Sequence, residues 1–225
     1  MRTMPAGALD RLLTPTERDR LARMREQGDR DRFATARAAV RSRAAAWMGI
    51  DAERVEIRTV CSSCGSHDHG KPRVTSPAGA APEVSLAHAA ELVVVALTRA
   101  GDVGVDVEPS GAAVSAGLGD VFLSAAERQT PSGPAATAAS RLRQWVRKEA
   151  VLKATGRGLA TDPRDVVIGA HGNVIRVPDD NDPTSWLLRD VDLVDGYLCT
   201  VAVRVSGRGP VAVQVVGIDP SAVSG

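Results

Sequence analysis

Two short segments carry residues whose types and spacing suit phosphate and metal chemistry: Gly104-Val105-Asp106-Val107-Glu108 and Trp145-Val146-Arg147-Lys148-Glu149-Ala150-Val151-Leu152-Lys153. In an extended strand Val103, Val105 and Val107 face one side, while Asp106 and Glu108 face the other. Neighbouring carboxylates repel unless a cation lies between them. Hard oxygen donors suit Mg²⁺, which takes one or two protein carboxylates and fills its octahedron with water and phosphate oxygens. An Asp-x-Glu pair alone is more often an ordinary exposed strand face. Glu149 and Lys153 stand four apart and share a helix face. In isolation they would form a surface ion pair worth about 0.3–0.5 kcal/mol. Read together with the strand, Glu149 completes a three-carboxylate magnesium site with Asp106 and Glu108, and Lys153 reaches a phosphate. Trp145, one turn earlier, is assigned to packing.

Three further segments hold candidate residues. Ser85-Leu86-Ala87-His88 precedes the carboxylate strand, which makes His88 a candidate for anion binding although a lone histidine is usually structural. Gly156-Arg157-Gly158 fits neither a phosphate-loop nor a dinucleotide spacing, so Gly156 is expected only to end a helix. Cys61-x2-Cys64-x2-His67-x-His69 holds four zinc-capable side chains. The gap between the cysteine pair and the histidines is too short for the usual Cys₂His₂ site, and closing one tetrahedron from it would strain the backbone. No strand–helix–strand context supports a redox role for the pair.

The composition narrows the field. At 225 residues, 44% hydrophobic and 24% charged, the chain has the balance of a globular protein with an apolar core. A formal net charge of +1 argues against bulk nucleic-acid binding. Residues 1–13 lack the apolar core of a signal peptide, and the densest apolar run, Leu92 to Leu97, is far too short for a membrane span. Three cysteines fit a reducing compartment, so a cytoplasmic protein is expected. Of the 28 Lys plus Arg, only Lys71, Lys148 and Lys153 are lysines, and all three fall inside the candidate motifs.

The elements that must position these residues follow from periodicity. Residues 14–48 are expected to be helical, opening at Thr14-Pro15-Thr16-Glu17 and interrupted at Gly28, with Leu21, Met24, Phe33, Val40 and Trp47 recurring at helical spacing. Ten arginines and five acids lie between Arg11 and Arg43, and Arg30 and Arg37 share a face. Strands are expected at Val55–Val60 and Val84–Leu86. Glu91–Thr98 and Val103–Val107 are expected to pair around the turn Arg99-Ala100-Gly101-Asp102. Pro109–Gly119 is the candidate linker. Ser124-Ala125-Ala126-Glu127 is a capping-box start. After a Pro/Ala/Ser/Gly-rich insert at Thr130–Ala139, a helix is expected to about Thr155, ending at Gly156. Strands are then predicted at 166–168, 174–177, 186–190, 197–205 and 211–216. Helix followed by antiparallel strands in each half predicts an α+β protein of two similar lobes.

In order along the chain, Gly70-Lys71-Pro72, Ser85-Leu86-Ala87-His88, Gly104 to Glu108, and Trp145 to Lys153 with Gly156-Arg157-Gly158-Leu159 resemble the Sfp-type (surfactin-synthetase-activating) 4′-phosphopantetheinyl transferases. Phe122 to Glu127 and Arg32-Phe33-x3-Arg37 resemble further blocks of that family, so the likeness spans roughly residues 30–205. The Gly-x-Asp-x-Glu block with a later Trp-x2-Lys-Glu-x3-Lys is its specific part. The resemblance implies two pseudo-two-fold α/β lobes, 1–109 and 110–225, each an antiparallel sheet with a long helix, and coenzyme A in the cleft between them.

Carried over by position, Asp106, Glu108 and Glu149 would hold Mg²⁺ (or Mn²⁺) with the coenzyme A diphosphate. Lys153 would contact the phosphate under attack with Lys148 close by, and Glu149 would be the base, directly or through water. Arg30, Arg37, Lys71, Pro72, Ser85 and His88 would hold the nucleotide end. The family's Ser-His-Ser is Ala87-His88-Ala89 here. The implied activity is transfer of 4′-phosphopantetheine from coenzyme A to a serine of an acyl or peptidyl carrier protein by a monomer, releasing 3′,5′-ADP. The carrier could belong to a polyketide, nonribosomal peptide or fatty-acid synthase. A magnesium-dependent nucleotide hydrolase and a non-catalytic coenzyme A-binding module are the rival readings.

Overall fold

A computed structural model describes residues 1–61, 64–67, 70–75, 81–130, 133–207 and 211–217. His69 of the Cys/His segment lies outside them. The fold mixes helices with antiparallel sheets.

The N-terminal arm forms two helices, α1 (Pro15–Arg23) and α2 (Gln27–Met48). Thr14 and Glu17 close a reciprocal capping box, and Pro15 costs no hydrogen bond in the first turn. The break falls at residues 24–26 rather than at Gly28, which sits in the first turn of α2. Met24 and Glu26 are both extended there. The buried face of α2 is made mostly of small residues (Ala34, Ala38, Ala39, Val40, Ala44, Ala45), which lets the sheet approach closely. Trp47, expected on that face, is 46% exposed and lies beneath the Arg99 guanidinium.

Strands β1 (Glu56–Val60), β2 (Lys71–Thr75), β3 (Glu83–Ala89) and β4 (Leu92–Thr98) form one antiparallel sheet in chain order, and α2 packs on it. Strand β5 (Gly101–Pro109) leaves that sheet. The expected β4–β5 pairing is not formed: β4 pairs with β3, and β5 pairs over all nine residues with β9 (Tyr197–Val205). A turn motif reports that the chain reverses, not which strand will take the ladder. A long, distant partner wins here. β8 (Trp186–Asp190) completes the β5-β9-β8 sheet, while β6 (Val167–Ile168) and β7 (Val174–Arg176) form a separate ribbon.

Between β5 and β6 in the chain come α3 (Ala116–Phe122), α4 (Ala125–Gln129) and α5 (Ala138–Thr155). The linker therefore narrows to residues 110–115. Ser124 and Glu127 form the expected capping box, and Gly156 ends α5 at φ 73°. α5 covers the β5–β9 ladder, and Ala150, Val151 and Ala154 enter a core with Ile168, Trp186, Leu188 and Ala202. A second core joins the two sheets through Ala87, Ala89, Val105, Val107 and Cys199. Residues 211–217 carry no strand, because no described strand offers them a ladder, and Val213, Val215 and Val216 remain exposed. Among the described residues no helix is long and apolar enough to cross a membrane.

Candidate active site

Glycine at position 104 sets the distance between the two acidic segments. A Cβ there would lie 1.9 Å from the Ala150 carbonyl oxygen and 2.4 Å from the Ala154 amide nitrogen. Only hydrogen fits, so β5 lies directly against α5. Gly104, Asp106 and Glu108 share one strand face, and that face meets the side of α5 bearing Glu149 and Lys153. The opposite face, Val105 and Val107, is sealed against β3 and β9.

Lys153 does not pair along its own helix. Its ammonium donates to Asp106 Oδ1 at 2.6 Å, across the β5–α5 interface. Asp106 is 6% exposed, and burial pushes its carboxyl above the usual carboxylate range against the Lys153 charge and hydrogen bond. Burial also raises the Glu149 carboxyl, helped by the negative charge of Asp106 and then Glu108, with Lys153 opposing. Glu108 rises for the same two reasons, burial first and Asp106 second. Glu108 and Glu149 thus both sense the Asp106 charge.

Two of their oxygens, Asp106 Oδ2 and Glu149 Oε1, are buried without a hydrogen-bond partner. Buried anionic oxygens left unpaired are costly, and a hard divalent cation is the partner that this donor chemistry fits. Among the described residues, no three His, Cys, Asp or Glu side chains already converge on one point. The cation facing this set is the Lys153 ammonium.

Lys153 also lines a cleft of about 880 Å³. One wall comes from α1 and α2 (Arg20, Arg32, Phe33, Arg37), another from β2 and β3 (Lys71, Pro72, Ser85, His88), and a third from the end of α5 and residues 156–160. Arg37 is 8% exposed, sits on the Phe33 ring and has an unpartnered, buried Nη1. His88 is held below its ordinary pKa by burial and then by the Arg32 and Lys153 charges, which favours the neutral imidazole. Lys71 lays its stem against Gly156 while its ammonium donates to Asp102 Oδ1 at 3.0 Å and the Ala154 carbonyl at 2.9 Å.

Two assignments are corrected by the geometry, and a third is qualified. Lys148 has no exposed surface and does not line the cleft. Its ammonium donates to Glu127 Oε2 at 2.7 Å and to the carbonyls of Phe122, Pro163 and Val166 at 2.7–2.9 Å. Successive helix residues are turned about 100° from one another, and Lys148 faces inward to anchor α5. Arg30 also lies off the cleft, because its Nε caps the Met24 carbonyl at 3.0 Å, at the end of α1. Ser85 lines the cleft, but its hydroxyl accepts the Val105 amide at 3.1 Å and stitches β3 to β5.

Strand alternation explains the neighbouring alanines. Ala87 and Ala89 are buried against Val105, Val107 and Cys199, on the face of β3 away from His88. Hydroxyls there would meet an apolar core. His67 Nδ1 lies 3.0 Å from the Thr59 carbonyl, and the Gly65 amide donates to the Cys61 carbonyl at 2.9 Å. Cys61 and Cys64 line the cleft rather than gathering a zinc site among the described residues. Sequence reasoning missed Arg20, Arg32 and Arg157 as cleft residues. For Arg157 a signal existed: the residue after a helix-ending glycine emerges one turn beyond Lys153.

Residues 102–202 match the family model described as the 4′-phosphopantetheinyl transferase superfamily. That stretch runs from β5 into β9 and contains Asp106, Glu108, Glu149 and Lys153. A search of curated proteins gave no match.

Proposed function

We propose that the protein is an Sfp-type transferase that moves 4′-phosphopantetheine from coenzyme A to a serine of an apo carrier protein. The observation carrying this reading is that Lys153 belongs to two places at once, bound to the acidic β5 segment and lining a cleft walled by Arg32, Arg37, Lys71 and His88. A diphosphate needs both cationic walls and a carboxylate set beside them. The superfamily likeness of residues 102–202 supports the class of chemistry. The basic cleft walls upstream of that stretch support the Sfp type. The division into lobes at 109/110 belongs to this reading, with β5 bound into the later sheet.

Asp106, Glu108 and Glu149 are the residues that would hold Mg²⁺. Bound there, the metal supplies charge neutralisation for the diphosphate and orientation of its oxygens. In the reaction the serine Oγ forms a bond to the β-phosphorus of coenzyme A, and the bond from that phosphorus to the bridging oxygen breaks. The carrier gains a phosphodiester, and 3′,5′-ADP leaves. Glu149 takes the serine proton, directly or through a water. Lys153 stabilises negative charge on the transferring group. Arg37, Lys71 and neutral His88 position the nucleotide end.

Mass spectrometry of an apo carrier incubated with the protein, coenzyme A and Mg²⁺ tests the proposal. A phosphopantetheine mass gain on the serine is expected. Coenzyme A cleavage without a carrier would mark a hydrolase instead, and binding without turnover would mark a binding module.

A further inference from the structure

The cleft wall formed by residues 156–160 carries one guanidinium, Arg157. Gly156 reverses the chain at the end of α5, so Arg157 stands just past Lys153 and opposite Arg20, Arg32 and Arg37 on the helical wall. Its Nη1 is ion-paired with Asp179 Oδ2. Asp179 sits in the tight turn between Val177 and Asp180, with backbone φ 60°, and its side chain is 72% exposed. An ion pair this open to solvent contributes little. A phosphate, with more charge and a geometry matched to the guanidinium fork, is a better partner.

We propose that Arg157 is a phosphate-binding residue of the cleft and that Asp179 is its resting partner, released when coenzyme A enters. This rests on the reading of the cleft as a coenzyme A site. It adds a cationic contact from the α5 wall, so that the nucleotide end is gripped from both sides. Asp179 then acts as a competitor for the ligand. Each molecule bound must displace it, and removing its charge favours binding.

Isothermal titration calorimetry with coenzyme A and with 3′-dephospho-coenzyme A tests this on wild type, Arg157→Ala, Asp179→Asn and the double variant. Asparagine tolerates the same backbone conformation, so Asp179→Asn keeps the turn. Arg157→Ala is expected to weaken coenzyme A about tenfold to a hundredfold. Asp179→Asn is expected to tighten it, and that gain should vanish in the double variant. An equal loss for both ligands assigns Arg157 to the diphosphate; a loss for coenzyme A alone assigns it to the 3′-phosphate. Wild-type affinity in folded Arg157→Ala overturns the inference alone. Failure of the wild-type protein to bind coenzyme A overturns the reading of the cleft and this inference with it.

Discussion

The Lys153 ammonium reaches Asp106 Oδ1 at 2.6 Å, linking α5 to β5 across 47 positions of sequence. This contact makes one unit of two segments that look unrelated in the chain. It also joins the carboxylate of the Gly-x-Asp-x-Glu block to the cleft through one side chain. Replacing Lys153 with Met should therefore lower kcat about 10²–10³-fold. The carboxylates should titrate higher still, because the cation opposing their burial is gone. Carrier loading followed by mass spectrometry reads the first effect.

Glu149→Gln should abolish transfer while leaving the fold intact, because the side chain is half-buried and its Oε1 has no hydrogen-bond partner to lose. Coenzyme A binding should persist. Wild-type-like turnover in this variant would remove Glu149 from the mechanism.

Gly104→Ala should unfold the junction on which the site depends. The added methyl would overlap backbone atoms of α5, which cannot swing aside as a side chain can. A loss of about 3 kcal/mol is expected from overpacking of this kind, read by urea denaturation, and transfer should fall with it.

Lys148→Met should cost about 3–5 kcal/mol, because it strands the Glu127 carboxylate, 3% exposed, without its ammonium. Adding Glu127→Gln should recover part of that loss. Were Lys148 a phosphate ligand instead, stability would hold and coenzyme A affinity would drop.

Acid should weaken the fold through the same pair. Burial alone would raise the Glu127 carboxyl. The Lys148 hydrogen bond and charge and the Ile168 and Ser124 amides outweigh it, and its pKa lies below the ordinary 4.5. Between that depressed value and 4.5 the unfolded chain binds the proton and the native state does not, so stability rises with pH across this window. The contribution is complete above 4.5 and is lost as pH falls through the folded value. Thermal melts of wild type and Glu127→Gln should converge toward low pH.

Much of the local structure around the candidate site could be read from the sequence because its signals are local. The capping boxes at Thr14 and Ser124, the stop at Gly156 and the alternation through Val103, Val105 and Val107 each depend on a few adjacent residues. Glycine in Gly-x-Asp-x-Glu has a reason that only packing discloses, the approach of Ala150. The β5–β9 ladder was not legible, since strand pairing at long range leaves no mark in either strand. Lys148 misled because it neighbours Glu149 in sequence, whereas a helix turns the two onto different sides. Arg32 and Arg157 were missed among 25 arginines whose abundance hides the few that face a cavity.

The sheet order β5-β9-β8 has a bearing on biosynthesis. On the ribosome, the strand bearing Asp106 emerges long before β9, the neighbour that satisfies its backbone along all nine positions. Until β9 is made, neither edge of that strand has a ladder partner and its aspartate has no finished surroundings. Ribosome-bound chains stopped short of β9 should thus be inert toward coenzyme A and prone to associate. The proposed transfer cannot begin before β9 has been made.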